Sequence, residues 1–390
     1  MNPNSSCVSR TVLGARTWHF PGRALFALAS LLAALPAQTP QSGDTYSRRS
    51  DLLTAFWGRE MFVRAAVALP ADRKADEHLP VCYSIHGFGG SAQSCAMAAS
   101  RAKAAMAQGG TRMCYVYLHA QFSLGHHEFA DSVNNGPWGK ALTTEFAPAL
   151  EAEFHVGGDA NARFLTGHSS GGWSSLWLQV TYPDFFGGTW STAPDSVDFR
   201  DFTGIDVYRF ANAYADPDGK PIQLVRRKGE WVQTIQEFVE KELAKSDHGG
   251  QFMSFNAVFS PRGEDARPMP LFDAKTGVID RAVAEAWKRY DIGLVLRENW
   301  ATLGPKLKGK LRVFVGTQDT YRLEGACRLL AQDLEQLGSD AKVVFAEGRD
   351  HGTLLQPHAQ LWPDGLQKRI HGEMRARYDA THARALDAAK

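Results

Sequence analysis

A mostly parallel β-sheet with helices on both faces is the architecture that this 390-residue sequence predicts. Three observations lead there. Short runs rich in Val, Ile and Phe alternate with longer helix-patterned runs, as parallel strands joined by crossover helices require. The composition is that of a globular chain, 44% hydrophobic and 22% charged. This excludes wholesale disorder, collagen-like repeats and a multi-span membrane protein. Finally, one glycine-flanked serine lies between a strand-like and a helix-like run, at Gly167–Gly171.

The chain opens on a segment set apart from the rest. Residues 1–37 carry Arg10, Arg16 and Arg23 and no acid, then the apolar run Ala24–Leu35, then Pro36 and Ala37. Basic, apolar, small is the order of an export signal, so we expect cleavage near Ala37–Gln38 and a secreted or periplasmic protein. Twelve apolar residues rise only about 18 Å as a helix, too little for a hydrocarbon core of about 30 Å, so no stable membrane insertion is expected. The whole chain holds 43 basic and 42 acidic residues. Losing three arginines leaves it slightly acidic, with no charge reason to bind nucleic acid. Cys7 leaves with the signal. Cys82, Cys95, Cys114 and Cys327 remain, and bridges and buried thiols are both open for them.

The remaining residues, 38–390, read as one domain. Polar residues 38–52 read as a linker. Met61–Leu69 is an early strand, and Val81–Ile85 the next. Ala-rich Ser91–Gln108 is a helix. Met113–Leu118 is a buried strand. Lys140–Phe154 is a helix in which Pro148 would sit as a kink. Arg163–Thr166 is a strand and Ser170–Thr181 a helix. Leu311–Gly316 and Lys342–Ala346 are strands around an amphipathic helix, Arg322–Leu337. Val197–Leu307 breaks the rhythm and reads as a cap-like insertion over the C-terminal edge of the sheet. It holds an expected hairpin at Asp216-Pro-Asp-Gly219 and a charged helix, Lys228–Lys245. From Pro363 the pattern is a basic, surface-lying helix.

The chemistry centres on Gly167-His-Ser-Ser-Gly171, which follows a strand and precedes a helix. A Gly-x-Ser-x-Gly string in that setting holds its serine on a sharp turn above the sheet edge, which makes Ser169 the predicted nucleophile. A serine hydroxyl needs a base. Among residues after Ser169, Asp319 and His351 each sit just beyond a predicted strand, in the order acid then histidine. His351 would take the serine proton, and Asp319 would orient its ring. Asp350 is too near His351 in sequence for that part. The loop His86-Gly-Phe-Gly-Gly90 follows a strand and would stabilise a developing oxyanion. The expected donors are the backbone N–H groups of Phe88 and Ser170. Candidate substrate-lining residues are His86, Gly87, His168, Trp138 and Trp173. For His168 and the tryptophans, plain packing is the competing reading.

These motifs resemble the α/β-hydrolase superfamily, in particular the "putative esterase" group of esterase D-like, feruloyl-esterase-like and enterobactin-esterase-like enzymes. Matching stretches are His86-Gly-Phe-Gly-Gly90, Asn135-Gly-Pro-Trp-Gly139, Gly167–Trp173, Tyr182–Phe186, Gly316-Thr-Gln-Asp319 and Gly348-Arg-Asp-His351. The resemblance runs from Met61 to His358 and is loosest across the insertion. It implies an α/β-hydrolase fold and a Ser-His-Asp enzyme that hydrolyses esters with no metal or organic cofactor. A small-molecule or glycan ester is the implied substrate, and the long insertion leaves the particular ester open.

His126-His-Glu128 with Asp131 lacks the spacing of a metal-binding helix and reads as a polar loop, so no metal is expected. Two other functions use the same residues. One is an acyltransferase, which needs a dry pocket and a bound alcohol. The other is a non-catalytic glycan-binding protein on the same scaffold.

Overall fold

The computed structural model describes residues 45–245 and 250–388. The expected signal, 1–37, lies outside the described residues. Eight strands form the central sheet: β1 (Thr45–Arg49), β2 (Phe62–Ala68), β3 (Val81–Ile85), β4 (Cys114–Leu118), β5 (Arg163–His168), β6 (Gly188–Thr192), β7 (Leu311–Gly316) and β8 (Lys342–Ala346). Their order across the sheet is β1-β2-β4-β3-β5-β6-β7-β8. The pairings β1–β2 and β2–β4 are antiparallel, and the other five are parallel. All six strands from β3 onward therefore end at one edge. This is an α/β-hydrolase fold.

Strand alternation divides the core. In β4, Cys114, Val116 and Leu118 face one side while Tyr115 and Tyr117 face the other. In β7, Val313 and Val315 oppose Phe314 in the same way. Helices cover both faces. On one lie α2 (Ala92–Ala107) and the C-terminal helix Leu366–Ala388. On the other lie α3 (Ala147–Phe154) and α4 (Ser170–Thr181). Ser91 starts α2 with a capping box shared with Ser94. The four cysteines Cys82, Cys95, Cys114 and Cys327 are free and buried, and burial pushes the Cys82 thiol up to about 12.

Several expectations need correction. The stretch read as a linker contributes β1, an antiparallel edge strand, and then α1 (Asp51–Trp57), capped by the Ser50 side chain. The helix expected at Lys140–Phe154 is present and starts two residues earlier, running unbroken from Trp138 to Phe154. Its hydrogen-bond ladder changes to a π-helical turn at Leu142–Phe146, and α3 continues from there with Pro148 as its second residue. A proline lacks the N–H that an interior helix position needs, and the π turn lies just where that bond would be missed.

The helix expected at Lys228–Lys245 begins later. Lys228 and Gly229, with φ of 49° and 85°, make a two-residue turn between the strands Gln223–Arg227 and Glu230–Thr234. Thr234 and Glu237 then exchange side-chain hydrogen bonds with each other's backbone N–H, and α5 (Ile235–Lys245) starts. The Asp216–Gly219 turn is present, with Asp216 Oδ1 accepting the N–H groups of Asp218 and Lys220. Only one bridge follows it, Ala215 to Pro221, because proline cannot extend a ladder.

The rest of the insertion supplies α6 (Gln251–Phe259), α7 (Arg281–Trp287) and α8 (Ile292–Leu307). Its apolar side chains, among them Phe252, Phe255 and Trp287, share one cluster with Trp173 and Leu176 of α4 and Val313 of β7. After the insertion, α9 (Leu323–Gln336) joins β7 to β8. The C-terminal helix, α10 (Leu366–Ala388), is more than a surface element. Leu366, Ile370, Met374 and Tyr378 recur every fourth residue and are buried against the sheet.

Candidate active site

Strand β5 ends in a turn that only its glycines permit. A Cβ at Gly167 would stand 2.0 Å from the Gly171 carbonyl oxygen, and one at Gly171 would stand 2.0 Å from that of Ile85. Between them Ser169 has φ 60° and ψ −126°, a conformation costly for any residue with a side chain. The turn, an elbow between strand and helix, lifts Ser169 out of the sheet edge, and Ser170 opens α4 behind it.

Asp319 and His351 meet as the sequence order suggests they should. The loop after β7 carries Asp319, which is fully buried, and the loop after β8 carries His351. His351 Nδ1 lies 2.8 Å from Asp319 Oδ2. The other carboxylate oxygen accepts the Tyr321 N–H at 2.9 Å. Burial opposes the charged imidazolium, but the hydrogen bond and charge of Asp319, with the charges of Asp195 and Asp350, outweigh it and raise His351 above its ordinary value. Asp350 is spent elsewhere, accepting from the N–H and hydroxyl of Thr353.

His351 is placed over the elbow by its neighbours. Its ring centroid is 4.5 Å from that of His168 and 5.1 Å from that of Tyr321. In this conformation the Ser169 hydroxyl donates to Asp195 Oδ1 at 3.4 Å, and among the described residues no hydrogen bond joins it to His351.

The loop after β3 closes the site from the other side. Gly90 N–H donates to the Gly87 carbonyl at 3.1 Å, closing a tight turn that exposes Phe88. Gly87 lies so near the elbow that a Cβ there would be 3.1 Å from Ser169 Cβ. His86 serves this turn. The Ala120 N–H donates to its Nε2 at 2.9 Å, so Nδ1 bears the ring proton and donates to the Gly87 carbonyl at 2.7 Å. Burial lowers His86 to about 3, in keeping with a neutral ring. His86 therefore shapes the loop and has no ring nitrogen left for substrate. His168 is likewise neutral, lowered to about 3 by burial, with Nδ1 3.1 Å from Thr192 Oγ1.

Trp138 and Trp173 are corrected to core residues. Trp138 stacks on His127 at 3.8 Å and donates to the Asn135 carbonyl. Trp173 is 1% exposed and stacks on Trp177 at 5.2 Å. The His126–Glu128 loop is buried beside the elbow. Ser174 donates to Glu128 Oε2 at 2.7 Å, while Oε1 lies 3.4 Å from His126 Nδ1 and has no hydrogen-bond partner among the described residues. Burial raises the Glu128 carboxyl well above its ordinary value. Among the described residues no group of three or more His, Cys, Asp or Glu side chains is arranged to hold a metal ion.

Sequence reasoning missed three participants. Asp195 accepts from Ser170 Oγ at 2.6 Å and from Gln251 Nε2 of α6 at 3.1 Å. Arg226, in the insertion, donates to the Asp319 carbonyl at 2.9 Å. The signal that could have found Asp195 depends on recognising β6. Asp195 lies three residues past β6, as Asp319 lies three past β7. A small cavity beside the elbow is lined by Asp195, Gln251, Phe252, Phe255 and Tyr321, among others. A larger one of about 240 Å³ lies on the α2 and α10 side, bordered by His86, His168 and His371.

Known proteins compare as follows. A family described as "Putative esterase" matches residues 57–291, a span that contains Ser169 and ends before Asp319 and His351. No curated protein matches the chain. Among solved structures, a ferulic acid esterase is 15% identical over 79% of this chain and 90% of its own, with a TM-score of 0.47. An S-formylglutathione hydrolase from Agrobacterium tumefaciens is 15% identical over 79% and 87%, with a TM-score of 0.45. Dipeptidyl peptidase 4 from Porphyromonas gingivalis is 11% identical over 86% of this chain but 35% of its own, with a TM-score of 0.47.

Proposed function

From the premise that the chain belongs to the "Putative esterase" family, we propose that it is a serine hydrolase of carboxylic esters working through an acyl-enzyme. The observation that carries this reading is the 2.8 Å contact of Asp319 with His351 beside a serine held at φ 60°. His351 Nε2 accepts the Ser169 proton as Oγ bonds to the ester carbonyl carbon. The carbonyl π electrons move to oxygen, where the backbone N–H groups of Phe88 and Ser170 meet the charge. The bond to the alcohol oxygen then breaks, and the alcohol leaves with the proton from His351. Water repeats the sequence on the acyl-enzyme, giving its proton to His351, and Ser169 recovers it as the acid departs.

No step needs a metal or organic cofactor. The substrate is a small-molecule or glycan ester, and the basic-apolar-small order of residues 1–37 supports export. Among the described residues no helix is long and apolar enough to cross a membrane.

Ser169→Ala tests the reading. Turnover of a p-nitrophenyl ester and labelling by a fluorophosphonate should both vanish while the circular dichroism spectrum is unchanged. Labelling that persists at another serine overturns it.

A further inference from the structure

Asp195 has no part in the mechanism above, yet its carboxyl is built into the elbow. It is 4% exposed, and its N–H donates to the Ser169 carbonyl at 3.2 Å. Oδ2 receives Ser170 Oγ at 2.6 Å and Gln251 Nε2 at 3.1 Å, while Oδ1 receives the Ser169 hydroxyl at 3.4 Å. Four titratable groups face it. Glu128 and His126 come from the loop after β4, His351 from the loop after β8, and Tyr321 from the loop after β7. The acceptor of the nucleophile's proton in this conformation is thus Asp195, and the base is the alternative.

We propose that Asp195 is a positioning residue that sets the direction of the Ser169 hydroxyl, its ionised form holding that hydroxyl away from His351 and its protonated form releasing it. The inference rests on Ser169 and His351 being nucleophile and base. An ionised carboxyl can only accept, so Oδ1, 3.4 Å from the Ser169 oxygen, then takes the Ser169 hydrogen bond. Because Ser170 and Gln251 both donate to Oδ2, Oδ1 is the oxygen left to carry a proton. Once protonated, Oδ1 donates to Ser169 Oγ, and the serine proton is free to turn to His351. Burial first, then the Glu128 charge, raises Asp195 to about 7, so both forms are populated near neutrality.

Asp195→Asn tests this. The amide can keep its oxygen on Ser170 and Gln251 while Nδ2 donates to Ser169, and it has no proton to lose. The readouts are kcat/KM for a p-nitrophenyl ester and the rate of fluorophosphonate labelling, from about pH 5 to about pH 10. In the wild type both should fall about tenfold on the alkaline side, the size of one charge-assisted hydrogen bond broken before reaction. In D195N that fall should be absent, and the acid limb should move to lower pH because a charge that raises His351 has gone. A D195N profile that keeps the alkaline fall overturns the proposal.

Gln251→Leu keeps the carboxyl and removes one donor to it, so the alkaline limb should move to higher pH. An unmoved limb overturns the proposal even if D195N does not fold. Labelling retained in S169A defeats the underlying assignment itself. Labelling lost in S169A, with unchanged profiles in D195N and Q251L, defeats only the role of Asp195.

Discussion

Arg226 reaches from the insertion to hold Asp319, its Nη2 donating to the Asp319 carbonyl at 2.9 Å and to Glu324 Oε1 at 2.6 Å. The Arg226 N–H also donates to the Thr320 carbonyl at 2.8 Å. The insertion is thereby fastened to the loop that carries Asp319.

Arg226→Ala should loosen that loop and leave Glu324 without its cation. The half-buried ion pair and the backbone bond together suggest a stability loss of about 2–3 kcal/mol. A displaced carboxylate should lower kcat about tenfold while KM changes less. Urea denaturation and steady-state kinetics check the two effects, and unchanged kcat would place Arg226 outside the chemistry.

Asp319→Asn should leave the fold in place and remove the charge that holds the His351 tautomer. By the size of the effect in triads of this geometry, kcat should fall by about 10³–10⁴. A loss under tenfold in kcat for a p-nitrophenyl ester would remove Asp319 from its assigned role.

The acid limb of activity should reflect His351, which must be neutral to accept a proton. Its folded value is raised above 6.5, so kcat/KM should reach half its maximum above that pH and fall about tenfold per unit below it. The linkage sign agrees with the geometry. The ion pair with Asp319 stabilises the fold fully below the unfolded value, and this is lost as pH rises through the higher folded value. A half-maximum below 6.5 in wild-type kcat/KM would contradict it.

Glu128→Gln should be tolerated, because the raised carboxyl is neutral over much of the acidic range. A carboxyl that holds its proton longer folded than unfolded costs stability as pH rises through that interval. The glutamine variant should match the wild type near pH 5 and gain about 1 kcal/mol near pH 8, roughly 2 °C in Tm. Thermal melts at the two pH values decide it, and destabilisation at both would mean an ionised, paired Glu128.

Much of the architecture could be read from pattern, and the failures have separate causes. Apolar strands such as Val81–Ile85 and Leu311–Gly316 announce themselves. Gly188–Thr192 does not, because a fully buried strand reading Gly-Thr-Trp-Ser-Thr looks polar. Two of its three hydroxyls are satisfied internally, Ser191 by the Gly172 carbonyl and Thr192 by that of Gly167, which no linear pattern reveals. Thr45–Arg49 was hidden for the opposite reason. It is an edge strand with mostly exposed polar side chains. At the site, Ser169 is marked by its flanking glycines, and Asp319 and His351 by their positions after strands. Asp195, Gln251 and Arg226 carry no local signal strong enough to single them out, since their contacts join segments far apart in the chain.

The backbone at position 169 has one more implication. A glycine there would relax the turn and forfeit the reactive oxygen, so the inert protein should outlast the working one on heating. Directed evolution that rewarded heat resistance alone would drift toward the dead enzyme, and any such campaign on this chain has to score turnover in the same round.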